Sequence, residues 1–179
     1  MSLACAINTG GPDYSDLPPI PVSSAEAEGL RAQIKKAFED GAATGVVTFT
    51  ITEAQITSLL AERFQSDPSL QQEKKPLITD PQVYLRDGQM KIYGRTQQGI
   101  FTANIGIIVN IGVDETGKPK IEIASADFGP FPAPEGLNAA IAKMIDEAYT
   151  GSVGPAATGM RIETITIADG VMTITGRIK

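Results

Sequence analysis

The feature that most narrows the fold is the stretch 100–128, where hydrophobicity alternates with period two for longer than an ordinary strand. Phe101, Ala103, Ile105, Ile107, Val109, Ile111 and Val113 share one parity, while Thr102, Asn104, Gly106, Asn110, Gly112 and Asp114 share the other. Successive side chains of a strand leave on opposite faces, so the pattern predicts one dry face and one wet face. Residues 114–118, Asp-Glu-Thr-Gly-Lys, have turn composition, and Ile121 and Ile123 resume the alternation in a returning arm. Gly99, Gly106 and Gly112 mark places where the backbone can bend or be approached closely. The expectation is a long hairpin that forms the spine of a curved sheet.

The remaining segments supply cover for the dry face. Ser23 or Ser24 can cap a first helix, with Glu26 and Glu28 in its first turn and Leu30, Ile34 and Phe38 near helical spacing. A short β run over 46–51 follows, and Thr52 with Gln55 has the capping-box signature of a second helix. Its stripe is narrow, Ile56, Leu59, Leu60, Arg63 and Phe64, and it ends before Asp67 and Pro68. A third helix is expected after the proline-rich corner 127–134, with Leu137, Ile141, Met144, Ile145 and Ala148 on its buried side. Two further hairpins turn at Asp87-Gly88 and Asp169-Gly170.

Those two hairpins align without a gap, 83–95 against 165–177, with Asp, Gly, Met, Ile, Gly and Arg coinciding. Each follows a helix of matched spacing, Ile56, Leu60 and Phe64 against Leu137, Ile141 and Ile145. Either the chain carries an internal strand-helix-hairpin duplication, or two Asp-Gly turns select similar neighbours independently. The predicted class is α+β: a curved antiparallel sheet with a long central hairpin, packed against two or three helices.

Composition excludes several functions. A chain of 179 residues suffices for one core without disulfides or metal. The formal charge of −6 provides no clustered Lys and Arg for phosphates, so nucleic acid is not an expected partner. The chain has no histidine, which removes imidazole acid–base chemistry, His-based triads and His metal ligands. One cysteine cannot form an internal disulfide or a Cys-rich metal cluster, and no apolar run is long enough to span a bilayer.

That cysteine is Cys5, preceded by Leu3 and Ala4 and followed by a Gly- and Pro-rich segment. This is how the start of a mature bacterial lipoprotein reads after its signal peptide has been removed, with Met1, Ser2 and Leu3 as a replacement leader. Residues 1–22 are therefore expected to be a tether with an acylated Cys5, and 23–179 a single domain; the alternative for Cys5 is an incidental thiol. Two or more acyl chains on Cys5 would hold the chain stably on a membrane, since each buried methylene contributes about 0.8 kcal/mol.

Reactive chemistry is thin elsewhere. Asp114 and Glu115 lie in a turn beside Lys118, where carboxylates are ordinarily solvated, and with Asp127 they lack calcium-loop spacing. Ser58 and Ser125 have no recognisable base, Lys35 and Lys36 sit on a helix surface, and Tyr84 and Tyr93 read as cross-strand packing. No catalytic residue, metal or cofactor is expected. What remains is apolar shape: the dry parity can be plain core, or slender helices can leave a groove lined by Ile56, Leu60, Phe64, Phe101, Ile105, Ile107, Val109, Ile111, Leu137, Ile141 and Met144.

The helix opening Thr52-Glu53-Ala54-Gln55-Ile56-Thr57-Ser58-Leu59-Leu60, the short-turn hairpins, and the corner 129–137 leading into a helix resemble small extracytoplasmic bacterial proteins of the YpmS and LmeA kind. The resemblance covers about residues 46–178. It implies a tubular lipid-binding fold, in which a curved antiparallel sheet wraps a long helix and acyl chains enter the gap. It supplies no catalytic residue, and this chain departs from it in lacking an N-terminal membrane helix, a role Cys5 acylation could take over. The expected function is non-enzymatic binding of a lipid or other apolar molecule by an extracytoplasmic, membrane-anchored lipoprotein. The alternative is a structural or protein-interaction module of the cell envelope.

Overall fold

A computed structural model describes residues 7–68, 71–72, 75–133 and 159–178. In chain order its elements are β1 (Ile7–Asn8), α1 (Ser24–Gly41), β2 (Val46–Thr52), α2 (Glu53–Ser66), β3 (Gln71–Gln72), β4 (Lys75–Pro76), β5 (Thr79–Arg86), β6 (Gln89–Gln98), β7 (Phe101–Val113), β8 (Pro119–Asp127), β9 (Met160–Ala168) and β10 (Val171–Ile178). The fold is α+β, a strongly curled half-barrel of strands packed against α1 and α2. One sheet has the order β1-β7-β6-β5, with β8 also on β7; a second has the order β2-β10-β9; β3 and β4 form a separate small hairpin. The predicted third helix and Cys5 lie outside the described residues.

The 13-residue β7 is the spine that its alternation predicts. It pairs along its length with β6 and, from Gly106 to Val113, with β8. Ala103, Ile105, Ile107 and Val109 are buried to 1 % exposure or less. Both Asp-Gly tips have positive φ at both residues, Asp87 57° and Gly88 74°, Asp169 51° and Gly170 80°, the turn whose twist matches that of the flanking strands. Strand pairing crosses the sequence: β2, which precedes α2, lies on β10 of the second hairpin, while the first hairpin is extended by β7.

The α1 N-cap is Ser23, whose Oγ accepts from Ala25 N at 3.1 Å. At α2 the capping box forms as its residues require: Gln55 N donates to Thr52 Oγ1 at 3.2 Å, and Thr52 N donates to Gln55 Oε1 at 3.0 Å. The narrow stripe expected for α2 is wrong, because Thr57, Ser58 and Ala61 are buried as well as Ile56, Leu59, Leu60 and Phe64. The helix is packed by α1 on one side and by β5 on another. Its buried hydroxyls are used: Thr57 Oγ1 accepts from Val83 N and Ser58 Oγ from Ser23 N, each at 3.0 Å.

Thr57 and Glu53 together close the free side of β5. Leu85 N donates to Glu53 Oε1 at 2.8 Å, the Arg86 guanidinium pairs with the same carboxylate, Gly170 N donates to Leu85 O at 3.1 Å, and Glu53 N donates to Gly170 O at 3.2 Å. One residue thereby joins α2, the first sheet and the tip of the second.

Residues 7–22 are a correction to the tether reading. Ile7 N donates to Ile100 O and Thr9 N to Thr102 O, while Asn104 N donates to Gly10 O, so the segment continues along β7 where β8 has stopped. It then crosses the outer face of the sheet. Tyr14 stacks on Tyr93 with ring centroids 5.1 Å apart, and Tyr84 donates to Pro18 O at 3.0 Å. Gln82 exchanges two hydrogen bonds with the backbone of Ile20. Gly106 allows the crossing: a Cβ there would lie 3.0 Å from Pro12 Cγ and 3.2 Å from the Tyr93 ring. The prolines prevent helix formation but not docking, because side chains of the sheet supply the partners that a solvated tether would find in water.

Two tests follow from this geometry. Glu53→Ala leaves the buried Leu85 N–H without its acceptor and should lower unfolding free energy by about 2–3 kcal/mol in urea titration; Glu53→Gln, which keeps an acceptor, should lose less. Burial also pushes the Tyr14 and Tyr84 phenols above their ordinary 10.0. Their contribution to stability is therefore intact below pH 10 and declines above it, where unfolded phenols ionise first. Absorbance titration, free of tryptophan because the chain has none, should show late-ionising tyrosines that diminish in Tyr14→Phe. Uniform titration of all tyrosines near 10 would contradict this packing.

Candidate functional site

An apolar cavity lies between the helix pair and the inner face of the three-stranded sheet. Leu30 and Ile34, one turn apart on α1, face Ile56, Leu59, Leu60 and Arg63 of α2, while Phe49, Ile51, Ile165, Met172 and Ile174 form the floor. The floor follows from register: Met172 lies opposite Ile51, and Ile174 lies between Phe49 and Ile165, so period-two alternation puts these side chains on one face. Ile111 and Pro119, from β7 and β8 at the far end of the spine, complete the wall. The volume is about 70 Å³. A water needs only ~10–15 Å³ by this measure, so the space exceeds a packing defect. Water would find hydrocarbon on nearly every side.

Of the residues expected to line a groove, Ile56, Leu60 and Ile111 line this cavity. Phe64, Ile105, Ile107 and Val109 are instead packed in the core at 2 % exposure or less. Phe101 has the core parity but stands at the first position of β7 and is 43 % exposed. Leu137, Ile141 and Met144 fall outside the described residues. Sequence reading missed the floor contributed by β2, β9 and β10 and the α1 wall. Their alternation and helical spacing were legible, but the packing of that sheet against the helices was not.

Arg63 is the charged member among the described lining residues. It sits in the last turn of α2, where a cation is favoured by the helix dipole. Elsewhere the polar candidates serve the fold. Asp114 Oδ1 accepts from Thr116 N, Thr116 Oγ1 and Lys118 N at 2.7–2.9 Å. These bonds, led by that from Lys118, hold its carboxyl below the ordinary 3.8. Asp127 accepts from Gly129 N, and Lys36 pairs with Asp40 one turn on. Among the described residues, no three of His, Cys, Asp and Glu gather as a metal site.

A second depression, about 360 Å³ and wide open, lies where the N-terminal segment crosses the sheet, bordered by Asp13, Tyr14, Ser15, Asp80, Gln82, Arg95 and Asn104. Its groups are already partnered: Asp80 with Arg95, Tyr14 with Gly94 O, Asn104 with Pro12 O, and Asp13 with Ser15 N. The apolar cavity is therefore the better candidate.

No family model matches the chain, and no curated protein matches it in sequence. Among solved structures it is similar to a crystal structure of lipopolysaccharide binding protein, with a TM-score of 0.30 and 11% identity over 75% of this chain and 49% of that one. The chain thus spans about half the length of that protein, and the likeness is too slight to bear on activity.

Proposed function

We propose that this chain is a non-enzymatic carrier that takes an acyl-chain segment or similar apolar group into the cavity between α1, α2 and the β2-β10-β9 sheet. The observation behind this reading is the cavity itself: a lining that is hydrocarbon apart from Arg63 at its border, and a volume of about 70 Å³. Such a space gains affinity from area removed from water, about 25 cal/mol per Å², and needs no reactive group. It holds the end of a chain rather than a whole lipid, since full small-molecule pockets are ~300–1,000 Å³.

The proposed setting is the outer face of a bacterial membrane, with the chain anchored through an acylated Cys5. Ala4 before that cysteine and the Gly- and Pro-containing segment after it support this reading, as does the pattern resemblance to YpmS- and LmeA-like proteins.

Calorimetric titration with n-alkyl carboxylates of increasing length tests the cavity. Affinity should rise about fourfold per methylene and then level off once the slot is filled. Ile165→Phe, which fills the space, should weaken binding about tenfold with little change in stability, the cost of one extra ring in a vacant slot being small. Absence of saturable binding across the series would end the carrier reading. Labelled palmitate fed to a bacterium expressing the gene behind a lipoprotein signal should appear on the wild type and not on Cys5→Ser; an unlabelled wild type would remove the anchor.

A further inference from the structure

At the opposite end of β7 from the cavity, three large apolar side chains lie together in solvent. Ile100 is 58 % exposed, Phe101 43 % and Ile7 49 %. They come from segments more than ninety residues apart and are joined by the parallel pairing of Ile7 with Phe101 and by the Ile7 N to Ile100 O hydrogen bond at 3.1 Å. Phe101 and Ile111 are ten residues apart on one strand, about 33 Å, so this tip is a feature separate from the cavity.

The segments that carry these side chains are uncharged. Residues 7–12 and 96–113 contain no Asp, Glu, Lys or Arg, in a chain where 20% of residues are charged. Twenty-four residues at that frequency would carry about five charges, and the two described segments that meet at the tip carry none. Exposed Gln97 and Gln98 and the Thr9 and Thr102 hydroxyls border it instead. A surface that enters a bilayer interface must bury apolar groups without desolvating charge, and in a protein of net charge −6 a charge-free end is not repelled by an anionic leaflet.

We infer that the Ile7, Ile100 and Phe101 tip inserts into the interfacial region of a lipid bilayer and sets the molecule upright on it, with the cavity end directed away. The chain itself agrees with this direction. Cys5 is two residues from Ile7, about 7 Å of backbone, and residues 7–22 are docked on the sheet, so an acyl group on Cys5 would hold the tip against the membrane. The inference draws on the anchor reading for direction and is independent of whether the cavity holds a ligand.

The single thiol and the absence of tryptophan make the test direct. Phe101→Trp and, at the opposite end of β7, Glu115→Trp are each coupled through Cys5 to a maleimide lipid in phosphatidylcholine vesicles containing acyl-brominated phosphatidylcholine. Coupling replaces natural acylation, so the result does not depend on how Cys5 is processed in a cell. Blue-shifted and strongly quenched emission is expected at 101 and neither change at 115. Unquenched emission at 101, or equal quenching at both positions, would overturn the inference. Adding Ile7→Ser and Ile100→Ser to the Phe101→Trp chain should abolish most of the quenching; undiminished quenching would mean that the linkage, not apolar contact, brings residue 101 to the lipid, and would equally overturn it.

Discussion

The architecture depends on the sealing of one sheet edge. The outer N–H groups of β5 at Val83 and Leu85 face α2, and a buried donor without a partner costs about 1–3 kcal/mol. Thr57 and Glu53, one turn apart on the helix, supply acceptors at the strand's spacing, and the Gly170 tip supplies the donor for Leu85 O. An edge left open here would also invite pairing with another chain. Because both partners lie on α2, the seal fixes the position of the helix against the first sheet, while the Glu53 N to Gly170 O bond fixes the second sheet against the helix. The gap between α2 and β10 is what this three-way constraint leaves over, and it is the cavity.

The molecule is thus polar in organisation along β7. One end of the spine helps wall a partly open hydrocarbon space; at the other the dry parity runs out into solvent. The same alternation produces both: Ile107 is packed at 0 %, in the part of β7 that lies between β6 and β8, while Phe101 at the strand's start is nearly half exposed. The N-terminal segment adds to this asymmetry by covering the outer face around Gly106 and Tyr93 while leaving Ile7 uncovered at the tip.

Much of the local structure was legible because it is decided within a few residues. Thr52 and Gln55 form their capping box, Ser23 its cap, and the two Asp-Gly pairs their left-handed turns, since each uses only neighbouring backbone. The docking of residues 7–22 was not legible. Gly10, Gly11, Pro12 and Pro18 give the composition of a linker, and the partners that hold it, Thr102, Gln82 and Tyr84, lie more than sixty residues away. The breadth of the α2 buried face was hidden for a related reason: Thr57 and Ser58 are polar by composition and become interior once a strand N–H and a helix cap find them.

By itself the sequence determined α1, α2, β2, the three long hairpins and the Asp-Gly turns, because period-two alternation, helical spacing and capping chemistry act over one to four residues. It also determined the absence of imidazole chemistry and the uncharged stretches at 1–12 and 96–113. Only the tertiary structure decided which apolar residues are core, which wall a cavity and which reach solvent. Burial depends on what another element covers, and that is set by contacts such as Glu53 to Leu85 and Ile7 to Phe101, between residues that no local pattern pairs.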